Sequence, residues 1–181
     1  MIAPRRSLWD SPHEAVDLAL DLLELQSDDV VYDIGCGDGR FVVEAALRSG
    51  AHCVGIEIEE KRAEEARQRV KKANVEDLVQ IRCENALTMS TLSEATAVYL
   101  YLVPRGLRLL LPELIQNYAS KPRRIVTYMS PFPEISYSVK RFVTPSHQPN
   151  AKWPLFLYTI PRATSSVSVK KQSSGQGYKI K

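Results

Sequence analysis

A run of β-forming residues followed by three alternating glycines constrains this chain more than any other feature. The run from Val30 to Ile34 predicts a buried strand, and the motif D-I-G-C-G-D-G-R occupies residues 33–40. Glycines at every second position permit a tight turn and let a ligand approach the backbone closely. We therefore expect a ligand-binding loop between this strand and the helix that follows the glycines.

Helix and strand patterns alternate through the first two thirds of the chain. The predicted helices cover residues 12–25, 41–48, 59–73 and 107–115, and the predicted strands cover residues 30–34, 52–56, 78–83, 96–103, 124–129, 137–143 and 152–160. A capping box is expected at residues 11–14, and Pro112 should kink or restart the last helix.

This order of elements predicts an α/β fold, namely a doubly wound, mostly parallel seven-strand sheet with an antiparallel terminal strand pair. No helix is expected between strands five and six, because the intervening S-P-F-P-E-I-S contains two prolines.

Composition and charge indicate one globular domain, followed by a C-terminal segment that differs from it in both. The chain has 181 residues, of which 44% are hydrophobic and 25% are charged. Its formal net charge is +3, and residues 162–181 contribute five positive charges and no negative one, which leaves −2 on residues 1–161. We expect residues 1–161 to form the domain and residues 162–181, rich in Ser, Gly, Gln and Lys, to be a basic, disordered tail.

Charge, apolar runs and cysteine spacing also indicate which partners and sites are not expected. A mildly acidic domain argues against an extended nucleic-acid surface, so no DNA partner is expected. The longest apolar run is of strand length, so no transmembrane segment is expected. Cys36, Cys53 and Cys83 lie far apart without C-x-x-C spacing, and they predict reduced thiols with neither disulfides nor a metal site.

The glycine motif discriminates between cofactors. A dinucleotide fingerprint reads G-x-G-x-x-G, whereas here the last glycine comes one residue early and Arg40 takes its place, so NAD and FAD fit poorly. Asp33 and Asp38 would repel a pyrophosphate but suit a cationic ligand. S-adenosylmethionine carries a sulfonium, an ammonium and a ribose diol but no phosphate, and it is the predicted cofactor.

Glu57 is the predicted ribose-binding acid. It lies 22 residues after Gly35, at the end of the second predicted strand. Glu59 and Glu60 are nearby, but acids in the first turn of a helix are expected to stabilise its dipole instead.

The motif D-I-G-C-G-D-G-R followed by G-I-E-I resembles the class I, seven-strand S-adenosylmethionine-dependent methyltransferases, whose pattern is D-x-G-x-G-x-G and then an acid after strand two. The resemblance implies that the cofactor-binding residues are Asp33, Gly35, Gly37, Asp38, Gly39 and Glu57. It also implies that Asn85, which stands after strand three where that superfamily often has Asp, accepts a hydrogen bond from the adenine amino group.

The segment after the fourth strand bears on the methyl acceptor. It reads Y-L-Y-L-V-P, and not the Asn-Pro-Pro-Tyr or Asp-Pro-Pro-Tyr of enzymes that methylate DNA amino groups or glutamine. With S-P-F-P at residues 130–133 and the terminal W-P-L-F-L-Y, it resembles the small lysine methyltransferases that modify the ATP synthase c-subunit and the adenine nucleotide translocase. The resemblance implies a protein substrate with a target lysine and a mitochondrial location, whereas the default for the sequence alone is the cytoplasm.

An aromatic channel would suit a lysine acceptor, because desolvation favours the neutral amine that attacks a methyl group. Tyr101 and Phe132 are predicted to line such a channel, and Tyr99, Trp153 and Tyr158 are further candidates.

Two other functions remain open at the level of sequence. One is a methyltransferase that acts on a small molecule or RNA, and the other is a non-catalytic module that retains the cofactor site. The intact glycine motif and Glu57 favour an enzyme, whereas the choice of acceptor depends on the resemblance.

Overall fold

Helices and strands alternate along most of the chain, and the last two strands follow each other without a helix between them. A computed structural model describes residues 10–89, 92–116 and 121–162. The helices are α1 (His13–Leu23), α2 (Arg40–Ser49), α3 (Glu60–Lys72) and α4 (Pro104–Ile115), with a short 3-10 helix at Leu92–Glu94. The strands are β1 (Val30–Ile34), β2 (His52–Glu57), β3 (Val79–Cys83), β4 (Ala97–Leu100), β5 (Arg123–Tyr128), β6 (Val139–Val143) and β7 (Trp153–Ile160).

The strands form one seven-stranded sheet in the order β3-β2-β1-β4-β5-β7-β6. The first five strands in that order are parallel, while β7 is antiparallel to both β5 and β6. The predicted doubly wound sheet with an antiparallel terminal pair is therefore confirmed. The strand order reverses between β1 and β4, and ligands of such sheets bind at the carboxyl ends of the strands beside that reversal.

The two faces of the sheet are covered by different elements. Helices α1, α2 and α3 pack on one face, which we call the α1 face. The opposite face, which we call the α4 face, is covered by α4 and the 3-10 helix. Phe132 and Ile135, from the loop between β5 and β6, also pack there. These two side chains are 3% and 9% exposed, so the proline-containing loop covers sheet that a helix would otherwise bury. The predicted absence of a helix here is confirmed.

Two local details differ from expectation. Ser11 does not cap α1, because its hydroxyl is bonded to the hydroxyl of Tyr99 at 2.8 Å, and Glu14 instead accepts bonds from Ser146. Pro112 does not interrupt α4, which is continuous through it. Pro112 lies on the exposed side of α4, where water can satisfy the carbonyl that has lost its donor.

Arg123 is a fully buried cation that fastens α4 to the sheet. Its guanidinium donates only to backbone carbonyls among the contacts of the described chain, at 2.9 Å to Ala95, 2.6 Å to Leu92, 2.6 Å to Leu114 and 3.4 Å to Glu113. Burial lowers the pKa of Arg123 to about 10. Two of the carbonyls belong to the last turn of α4, where a positive charge opposes the negative end of the helix dipole.

Replacing Arg123 should therefore destabilise the fold. Arg123→Met would take the guanidinium donor away from four carbonyls, of which only that of Leu92 is seen to accept another backbone N–H, from Ala95, among the described contacts. We expect a loss of about 3 kcal/mol in the free energy of unfolding, measured by urea titration. Arg141→Met, which removes an exposed guanidinium on β6, is the control, with an expected change within about 0.5 kcal/mol. Equal losses in the two variants would show that the carbonyls are satisfied in another way.

Candidate cofactor and acceptor site

The glycine loop, residues 35–39, turns back on the end of β2. The N–H groups of Gly35 and Cys36 both donate to the carbonyl of Ile56, at 2.8 and 2.9 Å. The three glycines have φ angles of 86°, 56° and 77°, in the left-handed region that other residues rarely adopt. The alternating glycines therefore serve a tight turn at the carboxyl end of β1.

The carboxylate of Glu57 joins this loop to the start of α3. It is 4% exposed, and its Oε2 accepts a hydrogen bond from the N–H of Gly37 at 3.0 Å. Its Oε1 accepts from the N–H groups of Ile58 and Glu59, at 2.8 and 3.0 Å. Three backbone donors thus hold the carboxylate in one orientation, and one acceptor position stays open on Oε2.

The charge of Asp38 is neutralised by two arginines. Its carboxylate accepts from Arg40 at 2.8 and 3.0 Å and from Arg69 at 2.6 Å. Burial opposes ionisation of Asp38, but these bonds and charges lower its pKa below the ordinary value. Asp38 therefore helps to fasten the loop to α2 and α3.

Asp33, unlike Asp38, lies in an environment that opposes ionisation. It is 3% exposed, and its pKa is raised well above the ordinary value, first by burial and then by the carboxylates of Glu57 and Asp38. A cationic ligand beside Asp33 would oppose this rise and favour the ionised form. The two acids that the motif places together thus have different environments.

Asn85 lies at the same edge of the sheet, in the turn after β3. Its neighbour Glu84 donates its N–H to the carbonyl of Glu57 at 3.0 Å. The side-chain oxygen of Asn85 already accepts a bond from the N–H of Leu87 at 3.0 Å, which leaves it one further acceptor position.

Residues 10 and 11, which precede α1, contact arginines of α2 and α3. Asp10 forms ion pairs with Arg40 at 3.2 Å and with Arg62 at 3.0 Å, while Arg40 also donates to the carbonyl of Ser11 at 2.8 Å. With the bond between Ser11 and Tyr99, these contacts hold residues 10 and 11 close to the glycine loop.

Three aromatic rings form a cluster on the α1 face, at the carboxyl ends of the parallel strands. We call Tyr101, Tyr128 and Trp153 the aromatic cluster; the ring centroids of Tyr101 and Tyr128 are 4.6 Å apart, and those of Tyr128 and Trp153 are 6.1 Å apart. The hydroxyl of Tyr128 is buried and has no hydrogen-bond partner among the described residues. Burial, with smaller contributions from Tyr101 and Glu14, raises the pKa of Tyr128.

Phe132 does not join this cluster, and its predicted place in a channel with Tyr101 is corrected. It belongs to the core of the α4 face, where its N–H donates to the hydroxyl of Tyr158 at 2.9 Å and the two rings meet edge to face. Tyr101 packs on the opposite face. Of the further candidates, Trp153 lies in the cluster, while Tyr99 and Tyr158 are buried core residues.

Comparison with known proteins agrees with this architecture. The family model of the ANTKMT methyltransferase domain matches residues 33–138. A curated protein-lysine N-methyltransferase of Saccharolobus islandicus (strain REY15A) is 34% identical over 105 residues, which cover 58% of this chain and 65% of that protein. A 24-methylenesterol C-methyltransferase 2 of Arabidopsis thaliana is 34% identical over 86 residues, covering 48% of this chain and 24% of that protein. The chain thus spans less than two thirds of the length of these curated relatives.

Solved structures show the same fold. The crystal structure of an RNA methyltransferase from Salinibacter ruber in complex with S-adenosyl-L-homocysteine is 33% identical, with a TM-score of 0.74, and covers 88% of this chain and 98% of that one. A geranyl diphosphate C-methyltransferase from Streptomyces coelicolor A3(2) has a TM-score of 0.64 at 16% identity, over 80% of this chain and 78% of that one, and shares the fold.

The sheet order, the glycine loop and the acid that ends β2 define a class I S-adenosylmethionine-dependent methyltransferase. The family match covers more than half of the chain, and a solved relative is 33% identical over 88% of it. The chain belongs to the ANTKMT methyltransferase domain family, and its cofactor is S-adenosylmethionine.

The residues around the glycine loop fit this cofactor. A Cβ atom at Gly37 would lie 2.3 Å from the guanidinium of Arg62, and the φ of 56° at this residue also favours glycine, so a side chain here would disturb both the loop and Arg62. Glu57 keeps an acceptor position for a ribose hydroxyl, and Asp33 would be favoured in its ionised form by a positive charge. Bound here, the cofactor supplies a methyl group on a positively charged sulfur.

Metal-binding groups and membrane-spanning helices are both absent from the described residues. Within residues 10–89, 92–116 and 121–162, no group of three His, Cys, Asp or Glu side chains is arranged to hold a metal ion. None of the helices in those ranges is both long enough and apolar enough to cross a membrane. The proposed tail, apart from Arg162, lies outside the described residues.

A side chain at Gly37 should weaken cofactor binding. Gly37→Ala places a methyl group against Arg62 at a φ of 56°, and we expect the affinity for S-adenosylmethionine to fall at least about tenfold in a calorimetric titration. Gly106→Ala is the matched control, because its Cβ would have its nearest neighbour at 3.5 Å. Unchanged affinity in Gly37→Ala would show that the cofactor does not approach the loop at this residue.

Proposed function

We propose that this protein is a protein-lysine N-methyltransferase. The observation that carries the proposal is the aromatic cluster, which contains Tyr101, the residue directly after β4. Leu102, the next residue, lies 3.2 Å from the Cβ position of Gly35 in the glycine loop. The lysine methyltransferase of Saccharolobus islandicus and the family of the chain support the same choice of acceptor. In this proposal the cofactor is held by Asp33, Gly35, Gly37, Asp38, Gly39, Glu57 and Asn85.

The cluster suits both protonation states of a lysine side chain. Lysine has a pKa near 10.4, so roughly one amine in two thousand is neutral at pH 7. An ammonium group is attracted to the faces of tyrosine and tryptophan rings, whereas removal from water favours the neutral amine that attacks the methyl group. Positioning of that amine is expected to supply most of the acceleration, because an in-line displacement needs no covalent bond to the protein.

Tyr101 is the proposed contact of the acceptor in this cluster. It is partly exposed, whereas Tyr128 behind it is fully buried. Tyr99 pairs with Asp33 in the parallel register of β1 and β4, so these two side chains lie on the same face of the sheet. Tyr101 is two residues beyond Tyr99, and its ring therefore lies on that face as well. A side chain that reaches Tyr101 therefore arrives next to the end of β1 and the glycine loop.

RNA is the second candidate acceptor, because the relative from Salinibacter ruber is described as an RNA methyltransferase. The charge of the domain favours protein over RNA. Residues 1–161 carry a net charge of −2, whereas RNA-binding surfaces are strongly basic.

Labelling with methyl-tritiated cofactor separates the candidates. The protein is incubated with the cofactor and an extract divided into protein, RNA and small-molecule fractions, and we expect label in a protein band, released as methyllysine after acid hydrolysis. Gly37→Ala, which is expected to bind the cofactor at least about tenfold more weakly, serves as the control with reduced labelling. Label confined to RNA or to small molecules would refute the lysine proposal, and so would label in another amino acid.

Loss of the Tyr101 ring should weaken acceptor binding specifically. On the labelled protein, Tyr101→Ala is expected to raise KM about tenfold, while the Kd of S-adenosylmethionine changes less than about twofold. Tyr137→Ala is the control, because this half-exposed ring packs on Phe156 on the opposite face. Equal effects of the two substitutions on KM would remove Tyr101 from the acceptor site.

A further inference from the structure

Arg62 carries a buried donor that no described residue satisfies. It lies near the start of α3, and its side chain is 19% exposed. One end of the guanidinium is held by Asp10, to which Nη2 donates at 3.0 Å. The Nε atom is buried without a hydrogen-bond partner among the described residues. Such a donor is unfavourable in a folded protein unless a ligand or water completes it.

The open position on Glu57 lies beside this donor. Oε1 of Glu57 already accepts two hydrogen bonds, whereas Oε2 accepts only the one from Gly37 among the described contacts. It is this Oε2 that lies 4.0 Å from Nε of Arg62, a distance too long for a direct hydrogen bond. A single oxygen atom between them would reach both at ordinary hydrogen-bond lengths of about 2.9 Å.

A group between these two atoms must donate a hydrogen bond to the carboxylate and accept one from the guanidinium. A ligand hydroxyl or a water molecule does both, whereas a carboxylate or an ammonium does not. The cofactor offers two such hydroxyls on its ribose. The guanidinium also lies against Gly37, so this position is next to the glycine loop.

We propose that Arg62 is a cofactor-binding residue, whose Nε donates to the ribose hydroxyl that donates to Oε2 of Glu57. Asp10 then acts as a positioning residue, because it holds the other end of the guanidinium and places its negative charge beside the cation. The proposal depends on Glu57 as the ribose acid and does not depend on the identity of the methyl acceptor.

A thermodynamic cycle between protein and ligand tests the bond directly. S-adenosylhomocysteine and its 2′-deoxy and 3′-deoxy forms are titrated calorimetrically into the wild-type protein and into Arg62→Met. We expect the wild type to lose about tenfold in affinity for one of the deoxy forms. In Arg62→Met, removal of the same hydroxyl should lower the affinity by a factor at least about threefold smaller than in the wild type. The reason is that this variant has already lost one of the two partners of the hydroxyl.

Two further variants separate geometry from charge and from folding. Arg62→Lys keeps the positive charge but lacks the planar guanidinium, and it should behave like Arg62→Met. Arg67→Met removes an arginine of the same helix that contacts Glu60 and Glu64, and it should keep the full wild-type loss. Thermal unfolding of each variant identifies any that is not folded.

Each contrary result has its own meaning. Equal losses in the wild type and in Arg62→Met would refute the bond to Arg62 while leaving Glu57 as the ribose acid. No loss for either deoxy form in the wild type would refute both assignments. Tighter binding of all three ligands by Arg62→Met would show that the arginine blocks the site, and it would also overturn the proposal.

Discussion

The hydrogen bond from the Gly37 N–H to the carboxylate of Glu57 is the contact on which the site depends. It joins the loop after β1 to the end of β2, while the other oxygen of the carboxylate holds the backbone that leads into α3. A carboxylate fixed by three backbone donors cannot turn away from a ligand without breaking them. The acid proposed to bind the ribose therefore also holds the start of α3, which carries Arg62 in its first turn.

Features that depend on local pattern were predictable from the sequence. The glycine spacing, the alternation of helix and strand, and the two prolines before β6 each determine structure within a few residues, and the sheet and the missing helix follow from them. The cap of α1 was not predictable, because Ser11 is bonded to Tyr99, 88 residues away. Arg62 was missed for a similar reason: in the sequence it is one of many charges on α3, and only the fold places it over Gly37.

The proposed acceptor site shows that sequence alone does not predict which side chains meet across neighbouring strands. Phe132 follows a strand end and was expected beside Tyr101, but the loop that replaces a helix must bury apolar side chains, and Phe132 fills that role on the α4 face. Tyr128 was not among the residues predicted to line the channel. Leu100 pairs with Thr127 in the register of β4 and β5, which brings the next residues, Tyr101 and Tyr128, side by side on the α1 face. Strand alternation would have indicated Tyr128 once that register was known.

The electrostatics of the loop explain why a sulfonium cofactor suits it. Asp38 is balanced by Arg40 and Arg69, so it adds little attraction for a ligand. Asp33 has no such partner among the described residues and is buried beside Glu57 and Asp38, so ionisation there is opposed by burial and by two like charges. A pyrophosphate would add further negative charge to this group, whereas a cation would relieve the repulsion and be attracted in return. The fold thus leaves one acid unbalanced at the end of β1, and a positively charged ligand supplies the missing charge.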